Sequence, residues 1–325
     1  MGTSIVKVTN KEIKTPKWAV LNGESIQLLN LDAESHTDLM KVYFNNREGF
    51  DNAIDSTTIS KSSVKFHAPL TSKIQMFAQG LNYATHRAES GLVVDAEEEE
   101  NLMFAKAASS LCGPNDNILR PEGCELLDYE IELGVVLKTD IHQPTQVSED
   151  NVGDYIGGLI LCNDVSARDF MFGAPMIQWY KGKSQRTFCP AGPVLYLLDD
   201  GDISQLYSLK LTLKMNGNIK QNATTDQLIH RPPKTITDIS KFTNIDAGDC
   251  ILTGTPGGVL ANANLKTGLA IILNFKNDKK RKSKFIAAQK AQTAFLQPGD
   301  FLELGIKSLD GKIDLGIQSN MIAEA

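Results

Sequence analysis

Residues 126–137 read LLDYEIELGVVL. An apolar, β-branched run of this length predicts a strand, yet Asp128, Glu130 and Glu132 sit inside it. Side chains alternate between the two faces of a strand, so Glu130 and Glu132 aim into one space while Tyr129 and Ile131 face away. On an exposed edge strand such an E-x-E pair needs no explanation. A second run changes that reading, because GGLILCNDVSARD (157–169) delivers Asp164 and Arg168 at the end of another predicted strand. Three converging carboxylates repel one another and resist desolvation unless a cation neutralises them. All-oxygen ligands select a hard divalent ion, Mg²⁺ first, with Mn²⁺ or Ca²⁺ as alternatives.

The rest of the chain sets the frame. A length of 325 residues is long for one core and suggests about two domains, or one large β-rich domain with an appendage. The 42% hydrophobic and 22% charged composition is that of a globular protein, which excludes disordered and fibrous classes. A net charge of -6 argues against nucleic acid as the partner. No apolar run approaches the roughly 18 residues of a membrane span, and MGTSIVKVTNKEIK lacks the apolar core of a signal peptide, so we expect a cytoplasmic protein without a membrane partner. Gly2 starts a myristoylation-like pattern, but Val6 stands where Ser or Thr is wanted. Five cysteines with no C-x-x-C pair suggest buried, reduced thiols.

Residues 1–70 hold short strand-like pieces and a charged, helical stretch, and are expected to form a small N-terminal domain. From 71 to 325 the pattern becomes many short β-rich runs divided by Gly, Pro, Asn and Asp. That pattern predicts a mostly β, α+β unit folded as a sandwich, roll or barrel. The acidic run DAEEEE (95–100) reads as a solvated helix start, and FKNDKKRKSKF (275–285) as an exposed basic helix or loop.

DYEIELGVV, CNDVSARDF, GKSQRTFCPAGPVL, MNG and GDCILTGTPGGV, preceded by QGLNYATHRAES, together resemble the fumarylacetoacetate hydrolase family over residues 70–310. The resemblance implies that family's mixed β-sandwich roll with a small N-terminal domain, and a homodimer. It implies Glu130, Glu132 and Asp164 as metal ligands, His86 and Glu89 as a dyad that activates water, Lys183 as a contact for substrate oxygens, and Thr255 as a contact for the substrate carboxylate. Chemistry supports several of these roles independently. His86 and Glu89, at i and i+3, share one face of a helical turn, where a carboxylate can orient an imidazole. Lys106 and Lys183 offer fixed positive charge to an anionic substrate and its enolate. Arg168 is a further candidate substrate contact.

One departure stands out. After Lys183-Ser184 the family commonly carries an Asp where this chain has Arg186. The reversed charge suggests a more anionic substrate and makes Arg186 a candidate substrate-binding residue. The 90–105 region, with its run of glutamates, falls where a mobile lid is expected. The expected activity is Mg²⁺-dependent hydrolysis of a C–C bond in a 2,4-dioxo acid. Alternatives are hydration, isomerisation, tautomerisation or decarboxylation of a 2-oxo acid in the same site, or ligand binding without catalysis.

Overall fold

The structure, a computed structural model, describes residues 1–89, 100–174, 176–261 and 276–325. Its strands, in chain order, are β1 (Thr3–Thr9), β2 (Lys17–Asn22), β3 (Ser25–Leu29), β4 (Ile54–Ser60), β5 (Lys65–His67), β6 (Met76–Gln79), β7 (Met103–Lys106), β8 (Leu111–Cys112), β9 (Ile118–Arg120) and β10 (Leu127–Asp128). There follow β11 (Ile131–Leu137), β12 (Ile156–Asn163), β13 (Ser166–Ala167), β14 (Cys189–Leu197), β15 (Leu209–Met215), β16 (Asn218–Thr224), β17 (Cys250–Leu252), β18 (Phe301–Ser308) and β19 (Asp314–Glu324). The helices are α1 (His36–Asn45), α2 (Arg47–Asn52), α3 (Ala84–Glu89), α4 (Arg168–Phe172), α5 (Trp179–Lys183), α6 (Pro232–Ser240) and α7 (Asp278–Lys290).

Two sheets pack face to face, as the strand-rich sequence led us to expect. The larger runs β4-β3-β2-β1-β14-β12-β11-β17-β6-β7, and the smaller runs β16-β15-β18-β19-β9. Ile131, Leu133, Val135 and Leu137 of β11 join Leu211, Leu213, Leu304 and Ile306 in the core between the sheets. Val136, Ile160 and Leu252 point the other way, into a second core closed by Leu39, Met40, Tyr43 and Phe50 of α1 and α2. Every residue of β11 is therefore buried, which is why its sequence reads as a continuous apolar run rather than an alternating one. Each buried aliphatic side chain contributes roughly 1.5–3 kcal/mol relative to exposure.

The N-terminal segment extends the larger sheet rather than standing apart from it. β1 pairs antiparallel with β14, placing Thr3 opposite Leu197 and Ile5 opposite Leu195. A capping box between Ser35 and Asp38 opens α1. The first residue of that helix, His36, is fully buried; its Nε2 bonds the Gly248 carbonyl and its Nδ1 accepts from the Thr71 amide.

The basic segment forms α7 as the charge pattern suggested, but it is not exposed all round. Arg281 is completely buried and donates to the Gly173 carbonyl and to Asp278. The acidic run at 95–99, and most of the region read as a lid, lie outside the described residues. Cys124, Cys162, Cys189 and Cys250 are buried free thiols, and Cys112 is half-buried.

Candidate functional site

The carboxylates converge where β11 begins and β12 ends. Glu130 lies one residue before β11, and its amide donates to the Asn163 side chain while its carbonyl accepts from the Asp164 amide. Glu132 lies opposite Cys162 in the β11–β12 ladder. One oxygen from each of Glu130, Glu132 and Asp164 falls within 4.8 Å of the others, and all three residues are buried. A second such group, Asp140, His142 and Asp246, is exposed, and His142 there makes a 2.7 Å surface pair with Asp246.

Both candidate lysines reach this centre. Lys183 Nζ lies 2.6 Å from Glu130 Oε2 and also bonds Asp164 Oδ2. Lys106 Nζ donates to Asp164 Oδ1 at 2.7 Å and to the carbonyl of Lys183. Two contacts hold the lysines in place. The Ala107 amide donates to Ser184 Oγ, and Phe104 stacks on Trp179 at 4.9 Å. Burial alone would lower the Lys183 pKa, but the charges of Asp164 and Glu130 outweigh it and raise it. Burial likewise disfavours a charged Glu130, yet Lys183 and Arg168 hold its carboxyl below the usual range. Glu132 goes the opposite way. Burial, then the charges of Asp164 and Glu130, push its carboxyl well above the usual range.

Glu132 also provides the test of whether a cation fits. Its Oε2 accepts the Gly254 amide at 2.7 Å, while its buried Oε1 has no partner among the described residues. A buried carboxylate with one unpartnered oxygen, meeting two more buried carboxylates within 4.8 Å, fits the donor set of a hard divalent ion.

The remaining candidates separate into two groups. His86, with 12% of its side chain exposed, sits with Nδ1 3.9 Å from Glu89 Oε2. The neighbouring His86, then the Gly258 amide, lower the Glu89 pKa against the effect of burial. Thr255 is buried, but its hydroxyl donates to the Ile131 carbonyl and accepts from Gln221, so the structure uses it to fix the TGTP turn. Arg168 is buried against Asp128 and Glu130. Arg186 is exposed, and among the described residues the ion pairs of Glu130 and Asp164 go to Arg168, Lys106 and Lys183.

Three residues that the sequence reading left without a role complete the site. Asp128 accepts amide bonds from Leu260 and Ala261. Gln221 bridges the Ile131 amide to Thr255 and the Pro256 carbonyl. Asn82, in the GLNY segment, links His230 to the Thr253 carbonyl. Asp128 and Asn82 lie inside the motifs DYEIELGVV and QGLNYATHRAES, whereas nothing local marks Gln221.

Residues 75–322 match the family model described as fumarylacetoacetate (FAA) hydrolase C-terminal. The mitochondrial oxaloacetate tautomerase FAHD2A of Bos taurus is 35% identical over 201 residues, a match covering 62% of this chain and 62% of that protein. A 2,4-didehydro-3-deoxy-L-rhamnonate hydrolase of a Sphingomonas species is 31% identical over 271 residues, covering 83% of this chain and 81% of that one. Among solved structures, fumarylacetoacetate hydrolase of the psychrophilic Exiguobacterium antarcticum shares the fold, with a TM-score of 0.73 at 22% identity over 99% of this chain and 100% of that one.

Proposed function

This chain belongs to the fumarylacetoacetate hydrolase family, and we propose that it is a divalent-cation-dependent enzyme of small 2-oxo acids that interconverts the enol and keto forms of oxaloacetate. Members of the family are enzymes, hydrolases and tautomerases among them. The observation that carries the reading is the buried meeting of Glu130, Glu132 and Asp164 with the ammonium groups of Lys183 and Lys106. Relatives named as oxaloacetate tautomerases support the choice of substrate.

Glu130, Glu132 and Asp164 would hold the cation, Mg²⁺ first and Mn²⁺ or Ca²⁺ next, which supplies Lewis-acid polarisation of a 2-oxo carbonyl. Lys183 and Lys106 add positive charge in a buried pocket, where a low local dielectric makes its stabilisation of a developing enolate oxygen stronger. His86, oriented by Glu89, takes the proton from C3 as the electron pair moves onto the carbonyl oxygen, and that oxygen is then protonated; ketonisation runs in reverse.

A second reading is cleavage of a C–C bond in a 2,4-dioxo acid, favoured by the His86–Glu89 placement and by the long match to the Sphingomonas hydrolase. There His86 would take a proton from water, hydroxide would add to the distal carbonyl, and the C–C electron pair would leave as pyruvate enolate. We further propose a homodimer in solution. Among the described residues no helix is long and apolar enough to cross a membrane. We read the protein as cytoplasmic, although the names of the bovine relatives place those proteins in mitochondria.

Loss of the enol absorbance of oxaloacetate, followed beside pyruvate release from a panel of acylpyruvates with Mg²⁺, tests the choice. Ketonisation accelerated by about 10²–10⁴ through a His86-dependent step supports the tautomerase reading. Buffer-rate ketonisation together with rapid pyruvate release would replace it with the hydrolase.

A further inference from the structure

Arg168 begins α4 directly after β13, and the two-residue β10–β13 ladder sets Leu127 opposite Ala167 and Asp128 opposite Ser166. The Arg168 amide continues that pairing by donating to the Leu126 carbonyl at 2.9 Å. The guanidinium is thereby folded back over residues 128 and 130 instead of projecting into open space.

Its contacts are specific. Nε donates to Asp128 Oδ2 at 2.9 Å, and Nη2 lies 2.8 Å from the same oxygen and 2.5 Å from Glu130 Oε1. Asp128 is fully buried, and its two oxygens also accept the amides of Tyr129, Leu260 and Ala261. A carboxylate with that many donors has no lone pair left for a cation. Glu130 is divided differently. Arg168 occupies Oε1, so Oε2 is the oxygen turned toward Lys183 and Asp164.

We propose that Arg168 and Asp128 form a clamp that sets the orientation of Glu130, making both of them positioning residues for the cation rather than contacts for substrate. The inference rests on Glu130, Glu132 and Asp164 being the cation ligands. A planar fork can bridge two carboxylates in fixed geometry, whereas a lysine at the same place can only approach as a point charge. Asp128 completes the device by holding the fork from behind while it is itself fixed by three amides.

The experiment is a calorimetric Mn²⁺ titration of the parent enzyme, Asp128→Asn and Arg168→Lys, each checked for a near-parental melting temperature. Oxalate, which mimics the chelating end of a 2-oxo acid, is then titrated at saturating Mn²⁺. The clamp predicts Mn²⁺ affinity weaker by about 10–100-fold in both variants, the usual cost of losing a group that orients a ligand, with oxalate affinity changed less than twofold. If Asp128→Asn does not fold, Arg168→Lys decides, because it keeps both charge and stem. Mn²⁺ affinity within twofold of the parent overturns the clamp while leaving the cation site standing. Unchanged Mn²⁺ affinity with oxalate binding weakened tenfold or more overturns it in favour of Arg168 as a substrate contact. A parent enzyme that binds no Mn²⁺ overturns the cation site, and the clamp with it.

Discussion

The amide of Gly254 donates to Glu132 Oε2 at 2.7 Å, leaving Oε1 of that carboxylate buried and, among the described residues, without a partner. A group placed this way lowers the stability of the cation-free protein, because burial and two neighbouring carboxylates all oppose its charge. Glu132→Gln should therefore raise the melting temperature of the chelator-treated protein. It should also abolish the stabilisation that Mg²⁺ gives the parent, which is about 2.7 kcal/mol when the free ion is a hundredfold above Kd. Thermal melts with and without Mg²⁺ check both. A variant still stabilised by Mg²⁺ would remove Glu132 from the ligand set.

The two glycines after TGTP have separable roles. A Cβ on Gly257 would lie 2.8 Å from Glu89 Oε1, whereas one on Gly258 would lie 2.0 Å from the Lys220 carbonyl, at a φ of +101°. The Glu89 carboxylate is the end of a flexible side chain and can move. The Lys220 backbone cannot. Gly257→Ala should lower turnover tenfold or more by displacing Glu89 from His86, with stability nearly unchanged. Gly258→Ala should cost about 2 kcal/mol or more in denaturant unfolding. Equal stability of the two variants would contradict this division.

Burial pushes the His36 imidazole down to about 4 from its ordinary 6.5, against the opposing effect of its bond to the Gly248 carbonyl. The unfolded chain thus takes up this proton before the folded one does. The stability contributed by neutral His36 is complete above pH 6.5 and drains away as pH falls to about 4. The loss is about 3 kcal/mol at ~1.4 kcal/mol per pH unit. Urea midpoints measured across this window should fall steeply for the parent, and His36→Gln should flatten the slope. A slope unchanged in the variant would show that other groups carry the acid sensitivity.

Arg186 is exposed, so Arg186→Asp should alter the ratio of kcat/KM for a dioxo diacid over a neutral-tailed acylpyruvate less than twofold. A tenfold shift would return it to the site as a recognition residue for a second negative charge.

Much of the centre was legible because its signals are local. The spacing of Glu130 and Glu132 and the position of Asp164 at a strand end follow from strand alternation, and the structure brings the three together. The sheet-rich fold was legible in the same way, from short β-branched runs between turn residues. Other features depend on distant partners. The β10–β13 ladder is two residues long, too short to leave a periodic pattern, so nothing local foretold that Arg168 would turn back onto Asp128 and Glu130. The amides of Gly254 and Gly258 in TGTPGG serve Glu132 and Glu89, partners far away in sequence that no local pattern announces. Arg281 looked solvated among its lysine neighbours because the carbonyl it binds belongs to Gly173, more than a hundred residues earlier.

The dependence of oxaloacetate ketonisation on the cation, measured on chelator-treated enzyme before and after Mg²⁺ is restored, puts the whole account at risk. We predict a fall to the buffer rate on chelation and recovery with Mg²⁺ for the parent, with Glu132→Gln silent under both conditions. Full activity in chelator, or parental activity in Glu132→Gln, would contradict a cation held by Glu130, Glu132 and Asp164 as the working centre of this protein.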